Sequence, residues 1–180
     1  MIRRLLRLAI LGVPVAFALD GWLAARRGTR PPQPVRSLVV IDASIERTWE
    51  LLADIPRQPE WMHDMKRVQV FTPGPTRVGT RGVATVRVFG ISVSDPVEVT
   101  MFDPPTTFAI RHEGLFTGGG VITLESGGDG TTTIVRWDET LIPPLLPDVG
   151  ALVLAPVLRP VFQADLHRLR RLLETGSADG

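Results

Sequence analysis

The chain has no cysteine, no tyrosine and no asparagine among its 180 residues, and Lys66 is its only lysine. Without cysteine there are no disulfides and no thiolate metal sites, and the redox compartment stays open. The missing tyrosine removes a common hydroxyl donor of active sites, and the missing asparagine removes every N-glycosylation sequon. Catalytic signatures are equally scarce. There is no G-x-S-x-G elbow and no H-E-x-x-H, and His63, His112 and His167 stand far apart, so no metal site is expected. Gly74 to Arg81 has the glycine spacing of a P-loop without its Gly-Lys-Ser/Thr ending, and reads as a turn. Thr117 to Gly120 is too generic to bind phosphate by itself, and no cofactor is expected.

What is present suffices for one domain with a real core, and is too short for two ordinary ones. The net charge of +1 conceals an asymmetry. Residues 1–36 hold seven arginines against Asp20, leaving 13 basic and 18 acidic residues beyond. A basic head on an acidic body argues against nucleic-acid binding, which wants a basic face with aromatic platforms.

Arg3, Arg4 and Arg7 precede Leu8 to Leu19, twelve residues without a charge; Asp20 interrupts, and apolar character returns through Ala25 before Arg26, Arg27 and Arg30. Twelve residues suit a signal-peptide core, whereas the 18 from Leu8 to Ala25 are enough for a tilted span, with Asp20 near an interface and Trp22 as an interfacial aromatic. Ala16-Phe17-Ala18 has the form of a cleavage site, yet the residues after it stay apolar and then turn basic, unlike a mature secreted start. Residues 1–27 are therefore read as an uncleaved single-pass membrane anchor, ahead of a cleaved signal or a peripheral helix. Arginines on both sides leave the membrane face undecided. Residues 28–34, including TRPPQP, read as a stiff linker, and residues 175–180 as a flexible tail.

Residues 35–174 make the domain. Val35 to Ile41 is a strand. Ser44 caps a helix whose Ile45, Trp49, Leu52 and Ile55 recur at helical spacing, and Glu46 suits its positive end. Pro56 and Pro59 break that helix, and a short turn begins near Glu60-Trp61. Strands follow at Val68–Thr72, Gly79–Phe89, Ile91–Phe102, Thr107–Glu113, Gly119–Glu125 and Thr131–Leu141, the last two joined by a Gly127–Gly130 hairpin turn. Pro96 marks an edge or a bulge. A last helix starts at Pro147-Asp148, and its Pro156 and Pro160 predict a kink or a break. Its stretch Val149 to Phe162 has Arg159 as its only charge, and reads as buried against the sheet, ahead of a cavity lid or a membrane-touching element.

This order wraps a curved antiparallel sheet around one long helix, an arrangement that tends to leave a cavity. Alternation directs Val86, Val97, Val99, Phe108, Ile110, His112, Trp137 and Phe162 toward it as ligand-binding candidates. Trp49 and Trp61 read as core. Arg136 and Asp138 share a strand face and read as a structural charge pair. His112 is the only histidine on a predicted strand. Its neighbours Arg111 and Glu113 point to the opposite face, so nothing nearby orients the ring, and it is not expected to be a catalytic base.

The pattern V-x-I-D-A-S-x-E-x-x-W-E-L-L-A-D-I-x-x-x-P-E-W, with V-G-T at Val78 to Thr80, D-P-P at Asp103 to Pro105 and G-T-T at Gly130 to Thr132, resembles the START-like superfamily. Within it the chain is most similar to the polyketide cyclase/dehydrase and lipid-transport branch, over roughly Val35 to Glu174. The resemblance implies an α+β helix-grip fold and carries no universal catalytic signature. Three functions compete. The first is a carrier of a hydrophobic small molecule such as a lipid, isoprenoid or polyketide, working at a membrane. The second is a polyketide cyclase-like enzyme, and the third a module whose apolar groove takes a protein segment. The carrier is preferred, because Val, Phe, Ile and Met line the expected cavity with few convergent polar groups.

Overall fold

The computed structural model of the protein describes residues 2–88 and 90–175, and the side chains of residues 13–87 and 90–175. In chain order it runs α1 (Ile2–Arg27), β1 (Val35–Ile41), α2 (Ile45–Leu52), a 3-10 turn (Ile55–Arg57) and α3 (Gln58–Trp61). There follow β2 (Met65–Val70), β3 (Arg81–Val88), β4 (Ile91–Asp103), β5 (Thr107–Glu113), β6 (Thr117–Ser126), β7 (Thr133–Ile142) and α4 (Pro147–Thr175). The seven strands form one antiparallel sheet in the order β1-β7-β6-β5-β4-β3-β2. This is the expected helix-grip architecture. The strict in-out alternation of β1 turns Val35, Ser37, Val39 and Ile41 inward, a register held by its antiparallel pairing to β7.

The core lies between the concave face of the sheet, the α2–α3 pair and the C-terminal half of α4. Ile41, Leu52, Trp61, Val135, Leu166 and Leu169 are fully enclosed there. Ser44 caps α2 through Oγ, accepting from Arg47 N–H at 3.4 Å, and Trp49 and Trp61 are both buried in the core. Edge strand β1 is covered by α4: the Gln163 amide bonds both the N–H and the carbonyl of Leu38, at 3.3 and 2.8 Å. That blunts an otherwise open row of backbone donors and acceptors.

Three of the differences from the sequence reading bear on the site and its surroundings. The second strand begins at Met65 rather than Val68, because β2 pairs with β3 from Met65↔Val86 onward. Helix α4 is unbroken through Pro156 and Pro160. Each proline deletes one helical N–H, and the two carbonyls left over belong to residues 152 and 156; Leu152 is 66% exposed, so its turn stands in the open rather than in the core. Arg136 and Asp138 do not pair with each other. Arg136 approaches Glu125 at 3.5 Å and Asp138 approaches Arg36 at 3.7 Å, each across a strand boundary. The remainder of the expected tail, residues 176–180, lies outside the described residues, as does Phe89.

Helix α1 is joined to the start of α4. Asp20 Oδ1 accepts from the N–H groups of Asp148 and Val149, both at 2.9 Å, and Arg27 donates to the two carboxylate oxygens of Asp148 at 2.6 and 3.1 Å. The one acid in the apolar run thus satisfies backbone donors at the positive end of the other long helix. Among the described residues, α4 is the one helix long and apolar enough to cross a membrane. Its Leu166, Leu169 and Leu173 are nevertheless packed into the core.

Candidate functional site

Between the concave sheet and α4 lies a cavity of about 530 Å³. Strands β2 to β7 contribute inward residues at period two, among them Val93, Val97 and Val99 from β4, Phe108 and Ile110 from β5, Ile122 from β6, Trp137 and Leu141 from β7. Helix α4 closes it with Leu154, Leu158, Val161 and Phe162. The Trp137 and Phe162 rings meet at 4.7 Å between centroids, fastening lid to sheet. All eight residues marked from the sequence border this space: Val86, Val97, Val99, Phe108, Ile110, His112, Trp137 and Phe162.

One end of the cavity is charged. His112 lies between two carboxylates, with Nδ1 at 2.5 Å from Asp95 Oδ2 and Nε2 at 2.8 Å from Glu139 Oε1. Trp137 Nε1–H donates to Glu139 Oε2 at 2.8 Å. Burial alone would pull the imidazole pKa down. The hydrogen bonds and charges of Asp95 and Glu139 outweigh it and raise the pKa to about 10, so the ring is an imidazolium at neutral pH.

Glycine makes this cluster possible. His112 is on β5 and Glu139 on β7, with β6 between them; Gly118 of β6 is opposite His112, and Gly120, opposite Glu139, faces this gap. A Cβ on Gly120 would stand 2.3 Å from Glu139 Oε2 and 3.3 Å from Trp137 Nε1. The missing side chain of Gly120 leaves the corridor through which Glu139 reaches the imidazole. Gly114 does the same on the far side, where a Cβ would fall 2.6 Å from Asp95 Oδ1. Thr117 to Gly120 therefore has a role that its composition conceals: it clears space across a strand.

The sequence reading correctly turned Arg111 and Glu113 away, since both join the outer-face ion cluster around Glu98. Its premise that nothing orients the His112 ring is corrected. The partners come from other strands, Asp95 two residues along from Val97, which is opposite His112, and Glu139 two strands away. Both were missed. A signal existed: Asp95 and Glu139 stand in the inward register of strands otherwise apolar there.

At another part of the wall, Asp165 of α4 is buried and accepts from His63 N–H at 2.9 Å. Burial pushes its carboxyl up, the His63 N–H pulls it down and the nearby Asp64 charge raises it again, to about 6. Among the described residues no group of three or more His, Asp or Glu side chains is arranged to hold a metal ion. In the cavity cluster the ring separates the two carboxylates, so the donors do not converge.

The family model for polyketide cyclase/dehydrase and lipid transport matches residues 33–174. Solved structures with this fold include the Zhui aromatase/cyclase from Streptomyces sp. R1128, 20% identical, with a TM-score of 0.62 over 78% of this chain and 92% of that one. A START superfamily protein from Mycobacterium smegmatis is 15% identical, with a TM-score of 0.61 over 79% of this chain and 98% of its own. The di-domain ARO/CYC BexL from the BE-7585A biosynthetic pathway is 14% identical, with a TM-score of 0.63 over 77% of this chain and 45% of its own. No curated protein sequence matches the chain.

Proposed function

The chain belongs to the polyketide cyclase/dehydrase and lipid transport family, and from that premise we propose that it binds and carries a hydrophobic small molecule, such as a lipid, isoprenoid or polyketide, at a membrane. The observation that carries this reading is the apolar cavity of about 530 Å³, within the size of small-molecule sites generally. Each methylene of an occupant buried there contributes about 0.8 kcal/mol, so a modest hydrocarbon body supplies most of the affinity. Membrane attachment is assigned to α1. Its Val13, Val15, Phe17 and Leu19 are exposed, and in its last turns Trp22 has the Arg26 guanidinium 4.2 Å from the ring, a pairing suited to the interfacial layer. Exposed Leu152 and Val153 extend the apolar surface onto the first turns of α4, which Asp20 and Arg27 hold beside α1.

The Asp95–His112–Glu139 cluster supports a second reading, a cyclase-like enzyme in which the imidazole moves protons. Its protonation weighs against this. A general base must be free to accept, and a ring with a pKa of about 10 and both nitrogens engaged is neither a base nor a ready acid near pH 7. The test is native mass spectrometry and lipidomics on full-length protein purified from membranes. A stoichiometric co-purified hydrophobic molecule is the expected result; an empty protein that turns over an aromatic polyketide precursor would transfer the assignment to the enzyme.

A further inference from the structure

Around His112 the cavity accepts hydrogen bonds, and the N–H donors of that cluster are already spent. Both nitrogens of His112 and the indole N–H of Trp137 are spent on Asp95 and Glu139. Arg81, the other basic residue on the wall, is drawn to Glu98 at 2.6 Å. The acceptors are not exhausted. Asp95 Oδ1 has no partner but is fully buried beside Gly114, whereas each Glu139 oxygen holds a single donor although a carboxylate oxygen has room for two. Two carboxylates around one imidazolium leave the cluster one negative charge in excess, and Asp64 and Asp165 add further carboxyl groups to the same wall.

Resting on the reading of this space as a ligand cavity, we propose that it selects an occupant whose polar end is a hydrogen-bond donor without negative charge, such as a hydroxyl or an amine, and rejects carboxylates and phosphates. A buried anion here would lose its water, meet no donor and face net negative charge. A hydroxyl gives its proton to a carboxylate lone pair, a charge-assisted bond of the stronger kind. An ether of the same shape has nothing to give, so it forgoes that bond while retaining the apolar burial.

The test uses full-length protein in lipid nanodiscs and four bicyclic probes of matched shape: 2-naphthol, 2-naphthylamine, 2-naphthoate and 2-methoxynaphthalene. Binding is measured by calorimetry, with empty nanodiscs as the blank for partitioning. The naphthol and the amine are expected to bind at least about tenfold tighter than the naphthoate, with the ether also weaker than the naphthol. Asp95→Asn and, independently, Glu139→Gln each place an amide donor at this end, and in whichever variant keeps a cooperative melt the naphthol–naphthoate gap should narrow severalfold. Naphthoate binding as tightly as naphthol overturns the inference while leaving the cavity reading intact, as does a gap unchanged in a folded variant. If none of the four binds above the blank, the cavity reading fails and takes the inference with it.

Discussion

A single imidazole should govern how this protein responds to alkaline pH. With no tyrosine, no cysteine and one lysine, His112 is the main side chain whose charge changes between about pH 7 and 10. Its folded pKa is raised above its unfolded value, so its contribution is fully present below about 6.5 and is lost as pH climbs through about 10. Thermal melts should therefore fall steadily from pH 7 to pH 10, and a folded His112→Gln variant should lose most of that slope. An equal slope in the variant would assign the effect elsewhere. Asp165 acts in the same direction at the acid end. Burial raises its pKa to about 6, so the native state favours the protonated form and stability declines as pH rises from about 4 to 6. Asp165→Asn keeps an acceptor for His63 N–H and removes the buried charge. It should stabilise the fold by ~1–2 kcal/mol at pH 7.5, by urea titration, and by almost nothing at pH 4.

At the scale of elements, strand β6 is the unexpected organiser. Its glycines look like a flexible run, yet they lie in a paired strand where lost side chains let β5 and β7 communicate. Gly120→Ala would drive a methyl into Glu139 Oε2, a site with no slack because the second carboxylate oxygen is tied to His112. The expected cost is about 2 kcal/mol, in the range of overpacking a tight interior, together with a lower alkaline midpoint for the pH dependence as His112 loses a partner. An unchanged midpoint would mean that Glu139 finds another route to the ring. In β4, pairing with β5 begins at Val97↔His112, directly after Pro96, so the proline marks where that side of the strand ceases to be an edge. Asp95 lies just outside this ladder, and its side chain bridges what the backbone leaves unpaired.

For the whole molecule, how α1 is joined to the domain decides what can be cut. No described side chain of α1 belongs to the hydrophobic core. Removing residues 1–27 should leave a domain that melts cooperatively, while shedding the Asp20 bonds that complete the start of α4. A capping loss of this kind costs about 1 kcal/mol, so the truncated protein should melt a few degrees lower and stay behind when lipid vesicles are floated. A truncated protein without a cooperative transition would make α1 part of the fold, and one that still floats would shift membrane attachment to the exposed face of α4.

The sequence by itself determined what depends on neighbours along the chain. The Ser44 cap, the amphipathic α2 and the period-two strands are set by contacts within a few residues, and with them came the helix-grip architecture and eight wall residues of the cavity. What it left open depends on register between strands. Val97 opposite His112 and Gly120 opposite Glu139 bring together residues 95, 112 and 139, and no local preference encodes that alignment. The continuity of α4 through two prolines was likewise decided by tertiary packing, since a helix held at its start by Asp20 and at its end by the core survives two missing backbone bonds. Side-chain alternation travels along one strand and can be read from it; the charge that ends up beside an imidazole depends on how separate strands are laid side by side.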